Sequence, residues 1–334
     1  MNSFQYVTAS TPEEAISLVG KNGRYLGGGI DLLDEMKEYI VSPDVLVNVK
    51  QVNGAGIPQG ITNGSTAGPE GSRPGVGTLI LSSEVTVAEI ASHDGIKKTL
   101  PGLSEAASEV GSPQIRNVAS LAGNLLQHSR CWYYRQPDIV CLKRGGNTCY
   151  AQDGENKYSS LFSGCACISP LVSNLAIALT ALDATFEVKR QGKSQTLFLA
   201  DLYHRAWIEP TAHNLLDLQD FLTGVIVPFK RTRSAYRQVS EKREFDWALV
   251  SCAAAGNVKD GKITDARVVL GAVAPVPYMV EDANKFLEGM TLNEESAAMA
   301  ADIILKDAKP LAHNGYKVPL AHALIRRTLL ALNA

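Results

Sequence analysis

The chain has no long apolar run, no surplus of charge of either sign and few aromatics, and each shortage removes a class of function. Nowhere do its 334 residues approach the ~20 consecutive apolar side chains of a bilayer helix, so no membrane span is expected. Lys plus Arg number 32 and Asp plus Glu 34, a net charge of −2. Without a basic excess to offset phosphate charge, a dedicated nucleic-acid binder is excluded. The opening residues MNSFQYVTAS hold neither a basic n-region nor an apolar h-region, and no signal peptide is expected on this chain. Also missing are a G-x-G-x-x-G that opens a helix, a P-loop, and paired histidines of the H-E-x-x-H kind. With 45% hydrophobic and 20% charged residues, the composition is that of a soluble globular protein, long enough for two or three domains.

What stands out is sulfur. Of six cysteines, Cys131, Cys141, Cys149, Cys165 and Cys167 fall within 37 residues, and Cys252 stands apart in the apolar ALVSCAAAG. A large chain without a signal does not read as a disulfide scaffold, and clustered thiols then point to metal. Segment 129–168 also lacks helical or strand periodicity and is too long for an unsupported loop, so something must staple it. Zinc on four thiolates, or on three plus His128, is one staple. Zinc sites favour C-x(2–4)-C pairs, however, and the gaps here are nine, seven and at least fifteen residues. A 4Fe–4S cluster, which takes four thiolates, suits them better. Trp132, Tyr133 and Tyr134 beside Cys131 are candidates to shield a cluster from water.

The rest of the chain alternates short helices and strands. Thr11-Pro12-Glu13-Glu14 opens a helix, RYL at 24–26 and VLVNV at 45–49 read as strands, and LLDEMKEYI at 32–40 as a helix. Residues 53–77, rich in Gly and Pro, read as an irregular excursion. Helix then strand is expected over 175–190, a strand at 225–229, and a hairpin about Lys259–Lys262, followed by three helices. The fold class is therefore α+β, with a boundary near 228. His204, His213, His313 and His322 are read as surface or capping residues.

Two loops suggest anion binding. Gly27-Gly28-Gly29 lies between a strand and a helix, where backbone N–H groups can converge on a phosphate unobstructed by Cβ atoms. QIRNVASLAGN at 114–124 places Arg116, Ser120, Gly123 and Asn124 in a second loop. Alone, either is also an ordinary turn.

In order, RYLGGGIDLLD, QIRNVASLAGNLL and SNLAIALTALDA resemble the FAD-binding medium subunit of the molybdenum hydroxylase, or xanthine dehydrogenase, family. The C-terminal GAVAPVPYMVEDANKFLEG and KVPLAHALIRRTLLAL resemble its last domain. RCWYYRQPDIVCLKRGGNTCYAQDGENKYSSLF resembles the insertion of the subtype carrying an extra 4Fe–4S cluster, that of periplasmic aldehyde oxidoreductases and 4-hydroxybenzoyl-CoA reductase. Departures from the family pattern fall at Ile30, Ser82, Ala122 and Asn174.

The resemblance implies a two-part p-cresol-methylhydroxylase-type FAD-binding domain over 1–228, with the cluster insertion at 129–168, and a smaller α+β domain over 229–334. It implies FAD on Leu26, Gly27, Gly28, Gly29, Ile30, Asp31, Arg116, Ser120, Gly123, Asn124 and Asn174. It implies a 4Fe–4S cluster on Cys131, Cys141, Cys149 and Cys167, with Cys165 the alternative fourth ligand. Tyr236, Arg237 and Phe245–Trp247 fall where the family places side chains near flavin. The implied partners are a molybdopterin-binding large subunit and a 2Fe–2S small subunit, with this chain relaying electrons to an external acceptor. The location would be cytoplasmic, or periplasmic by export with a partner. Two other readings remain open: a docking subunit that keeps the cluster without FAD, and a self-contained flavoenzyme.

Overall fold

The computed structural model describes residues 1–53, 58–64, 77–190, 192–243 and 245–333, and the chain adopts the expected α+β architecture. The first layer is a parallel sheet of β1 (Gln5–Thr8), β2 (Gly23–Leu26) and β3 (Val45–Asn48) in the order β1-β3-β2. Its crossover helix, Pro12–Val19, starts where the Thr11 hydroxyl accepts from the Glu14 N–H at 3.2 Å, and it buries Ala15 and Val19 against Val47 and Val49. The chain leaves the carboxyl end of β2 through Gly27–Gly29 into helix Leu32–Lys37, so the glycine loop lies at the edge where parallel sheets hold ligands.

The second sheet is antiparallel and comprises β4 (Ile61–Gly64), β5 (Thr78–Ser82), β6 (Thr185–Arg190), β7 (Lys193–Phe198) and β8 (Phe221–Pro228), in the order β4-β5-β8-β6-β7. Central β8, FLTGVIVP, is buried on both faces, which its largely apolar sequence suits, with the Thr223 hydroxyl satisfied by the Glu187 carbonyl. Helices Val87–Ser92, Pro101–Ser108 and Asn174–Ala181 pack into the same core. The third sheet is a meander of β9 (Arg233–Val239), β10 (Val250–Lys259) and β11 (Lys262–Gly271), backed by helices Glu281–Leu287, Glu294–Leu305 and Lys317–Leu330. Ala253, Ala254 and Ala255 keep β10 thin, so helices pack close on both its faces. Asp260 and Gly261, both at positive φ, make the two-residue hairpin turn expected between β10 and β11.

Three strands depart from the sequence reading. Part of the 53–77 excursion is regular: residues 61–64 form edge strand β4, while 54–57 and 65–76 lie outside the described residues. β7 and β9 are exposed or mixed in character, and pairing rather than periodicity makes them strands. Segment 129–168 holds only a 3₁₀ turn at Leu142–Arg144.

Much of that segment's staple is supplied by the protein itself. Buried Lys317 donates through Nζ to the carbonyls of Tyr158, Ser159 and Ala272 at 2.9–3.0 Å. Asn314 donates to those of Ser159 and Ser160, and Lys143 to those of Pro210 and Ala212. Phe162 stacks on Tyr278 at 3.9 Å between centroids. Among the described residues, no helix is long and apolar enough to cross a membrane.

Candidate cofactor cavities

A cavity of about 540 Å³ opens where the glycine loop meets the second sheet and the connection between β9 and β10. Residues 26–31, Ser120, Gly123, Asn124 and Asn174 all line it, so widely separated candidates converge on one space. Arg116 does not line it. Its guanidinium turns back to the Val110 and Gly111 carbonyls at 3.0 and 3.2 Å, stabilising the loop rather than facing the cavity.

Close packing explains the glycines. A Cβ on Gly28 would stand 2.2 Å from the Val118 carbonyl oxygen, and one on Gly27 would stand 2.8 Å from the Ser120 Oγ. Gly29 sits at φ +73°, where a side chain is strained. The opposite loop is tied down as firmly. Ser120 caps helix Leu121–Leu125 by accepting from the Gly123 N–H, and the Ser173 hydroxyl donates to Asn124 Oδ1 at 2.7 Å. Asn174 donates to Gln238 at 2.9 Å, which links the wall to β9. Ile30 is 41% exposed beside the cavity.

Among the described residues, five buried side-chain polar atoms lack a partner, and three of them, Tyr25 Oη, Glu84 Oε2 and Arg130 Nε, belong to residues lining this cavity. Unpaired buried polar atoms are costly, so their concentration here fits a polar ligand. The glycine cradle and the orphaned donors suit a dinucleotide with a diphosphate.

Asp31 has another occupation. It accepts from the His128 N–H at 2.7 Å and pairs with Arg130 at 2.8 Å and Arg135 at 2.7 Å. Burial pushes its carboxyl up, but the two guanidiniums and the amide outweigh that and hold it below the usual range. Glu35, almost fully buried, accepts from Tyr134 Oη at 2.8 Å and bonds His128 Nδ1 at 3.0 Å. His128 in turn stacks on His213 at 4.0 Å. His213 is thus half-buried behind His128 rather than a free surface residue, and burial followed by the His128, Lys143 and Arg135 charges holds its imidazole well below the ordinary range. Arg130 spans the rim, 4.5 Å over Trp247, and Asp246 and Trp247 line the cavity. Tyr236 instead is buried with its hydroxyl on Gln238. Sequence reasoning missed Tyr25, Glu35, Glu84 and Arg130. A carboxylate amid the apolar LSSEVTVAEI was the available signal for Glu84.

A second, small cavity of about 10 Å³ is lined by Cys131, Cys141, Cys149 and Cys167. Tyr133, Tyr134 and Tyr150 also line it, whereas Trp132 is exposed and packs edge-on to Tyr158. Cys165 lies outside, its thiol toward the Cys167 and Ala206 carbonyls, and Cys252 is buried in β10. All six are free thiols. Burial raises Cys131 and Cys167, the latter to about 11, so without a metal they stay protonated at neutral pH.

Comparison with known proteins places the chain among flavoprotein subunits. Residues 70–230 match the FAD binding domain in molybdopterin dehydrogenase, and 234–332 the CO dehydrogenase flavoprotein C-terminal domain. The fold and these matches define an FAD-binding oxidoreductase subunit. The aldehyde oxidoreductase FAD-binding subunit PaoB of Escherichia coli (strain K12) is 31% identical over 341 residues, spanning 100% of this chain and 98% of that protein. The carbon monoxide dehydrogenase medium chain of Hydrogenophaga pseudoflava is 22% identical over 98% of this chain and 96% of its own length. A solved CO dehydrogenase from Oligotropha carboxidovorans superposes with a TM-score of 0.73 at 20% identity, over 99% of this chain and 98% of that one. This chain belongs to the FAD-binding medium-subunit family of the molybdenum hydroxylases, of the carbon monoxide dehydrogenase and aldehyde oxidoreductase type.

Proposed function

We propose that this chain is the electron-transfer flavoprotein subunit of a molybdenum-containing hydroxylase complex, with residues 1–228 serving the flavin and 229–334 forming the C-terminal domain. In this reading, a large subunit oxidises substrate at molybdopterin and a small subunit's 2Fe–2S centres pass the electrons on. This chain delivers them to an external acceptor. The relative at 31% identity serves an aldehyde oxidoreductase, which favours aldehydes as the substrate class.

The observation that carries the reading is the glycine-walled cavity with its three unpartnered polar atoms. FAD, when bound, supplies reversible one- and two-electron exchange. The protein's part is to hold it: N–H groups of Gly27–Gly29 toward diphosphate, with Ser120, Gly123, Asn124 and Asn174 forming the remaining wall. Asp31 and Arg116 act by bracing the two loops.

The same reading places a 4Fe–4S cluster on Cys131, Cys141, Cys149 and Cys167, whose side chains line the second cavity and would have to part to admit it. A lone zinc ion would draw its donors to ~2.0–2.3 Å. Among the described residues no three His, Cys, Asp or Glu side chains stand as a metal-holding group, so the cluster reading rests on four thiols sharing one cavity and on the resemblance of the insertion. A cluster spreads its thiolates more widely, one per iron, and the surrounding tyrosines would limit water.

Flavin, iron and sulfide analysis of the purified protein tests both halves. FAD together with iron and sulfide is expected. Iron without extractable flavin would instead select a docking subunit, and turnover by the isolated chain a self-contained flavoenzyme.

A further inference from the structure

Glu84 is a carboxyl with no partner for one oxygen, at the junction of β5 and helix Val87–Ser92. It lies beside the glycine cradle: an ideal Cβ on Gly27 would stand 3.6 Å from Glu84 Oε2 and 2.8 Å from Ser120 Oγ. A carboxylate left bare beside a site for a diphosphate is a contradiction in charge. Ionised, it repels the ligand; protonated, it offers a donor where the ligand offers anionic oxygens. We propose that Glu84 is a cofactor-contacting residue that works as the neutral acid, its Oε2–H donating to an anionic oxygen of FAD. The inference rests on the flavin reading above and assigns this residue within it.

The surroundings favour the neutral form. Burial pushes the Glu84 carboxyl up to about 7, and the Ser83 hydroxyl and Lys50 ammonium only partly oppose it. Gly27 and Ser120, on the facing wall, carry no charge. FAD binding then raises the carboxyl further, and the protein takes up a proton as it binds. The sign follows: at acid pH the group is already protonated and binding is tightest. Above about pH 7 the proton must be acquired, and Kd rises by up to about tenfold per pH unit.

The test uses the purified full-length chain, with whatever chains accompany it, freed of flavin. FAD affinity is followed by fluorescence quenching from about pH 6 to about pH 9. The unaltered protein should weaken across this range, while E84Q, a permanent donor, should bind with a flat profile and match the unaltered protein at the acid end. A slope that survives in E84Q belongs to some other group and overturns the proposal. A flat profile in the unaltered protein overturns it too, leaving the flavin reading intact; no binding at any pH overturns both. Should E84Q fail to fold, calorimetry of the unaltered protein in two buffers of different ionisation enthalpy decides. Uptake of about one proton near pH 8 is expected, and none refutes it.

Discussion

The two cavities lie on either side of residues 128–135 and are built by opposite means. The larger is walled by main chain: glycines that cannot carry a Cβ, loops fixed by caps, and polar atoms waiting for a partner. The smaller is walled by side chains: thiols and tyrosines on a backbone with almost no repeating structure, secured from outside by Lys317 and Asn314 and by its own Lys143, which reaches out to the Ala212 carbonyl. A site made of backbone depends on where the sheets put it. A site made of side chains depends on its residues, with the rest of the fold supplying tension. The shared wall is fixed by Asp31 and Glu35, neither of which is a thiol.

The largest expected effect tests whether the cavities are separable. Replacing Cys141 or Cys149 with Ser should reduce iron to background. FAD should be retained, because the Asp31 and Glu35 carboxylates, rather than the thiols, hold residues 128–135 in place. Cys165→Ser should leave iron unchanged. Loss of both iron and flavin from Cys141→Ser would make the two cavities one cooperative unit and end the distinction.

The converse change is Gly28→Ala. Its Cβ meets the Val118 carbonyl and the Ala119 backbone, neither the flexible end of a side chain, so the loop must shift. Overpacking of this kind costs about 1–3 kcal/mol. FAD content should fall sharply while iron content stays at the unaltered level. Equal loss of both, measured on the same sample, would again join the two sites.

This contrast also explains what was legible in the sequence. The thiols announced themselves by number and crowding, and four of them share a cavity that leaves Cys165 out. The glycine loop and Ser120–Asn124 were visible as short motifs in order, but only the fold brings them together. Glu35, Glu84 and Arg130 were hidden because nothing local distinguishes an inward acid or arginine from a solvated one. Arg116 misled for the same reason: an Arg beside a glycine-containing loop reads as an anion ligand until its carbonyl partners are seen. β4 and β7 lacked signal because edge strands need no apolar alternation, only a neighbour. The staple of 129–168 was sought in metal, and much of it is a lysine and an asparagine from about 150 residues downstream, beyond the reach of any local pattern.

The smallest effect concerns the wall itself. His213, behind the wall residue His128, accepts from the Ser129 N–H at 3.3 Å and stacks on His128, half-buried and held neutral. Its folded pKa lies well below the unfolded value, so the unfolded chain binds the extra proton over the interval beneath about pH 6.5, and stability falls as pH drops through it. One such group contributes at most about 1.4 kcal/mol per pH unit there. Urea midpoints should therefore decline between about pH 7 and about pH 5, and His213→Gln, whose amide oxygen can still accept from Ser129, should make the decline shallower. An unchanged slope would assign the acid sensitivity to the carboxylate side of the wall, at Asp31, whose stabilisation is lost only at lower pH, as its carboxyl is protonated.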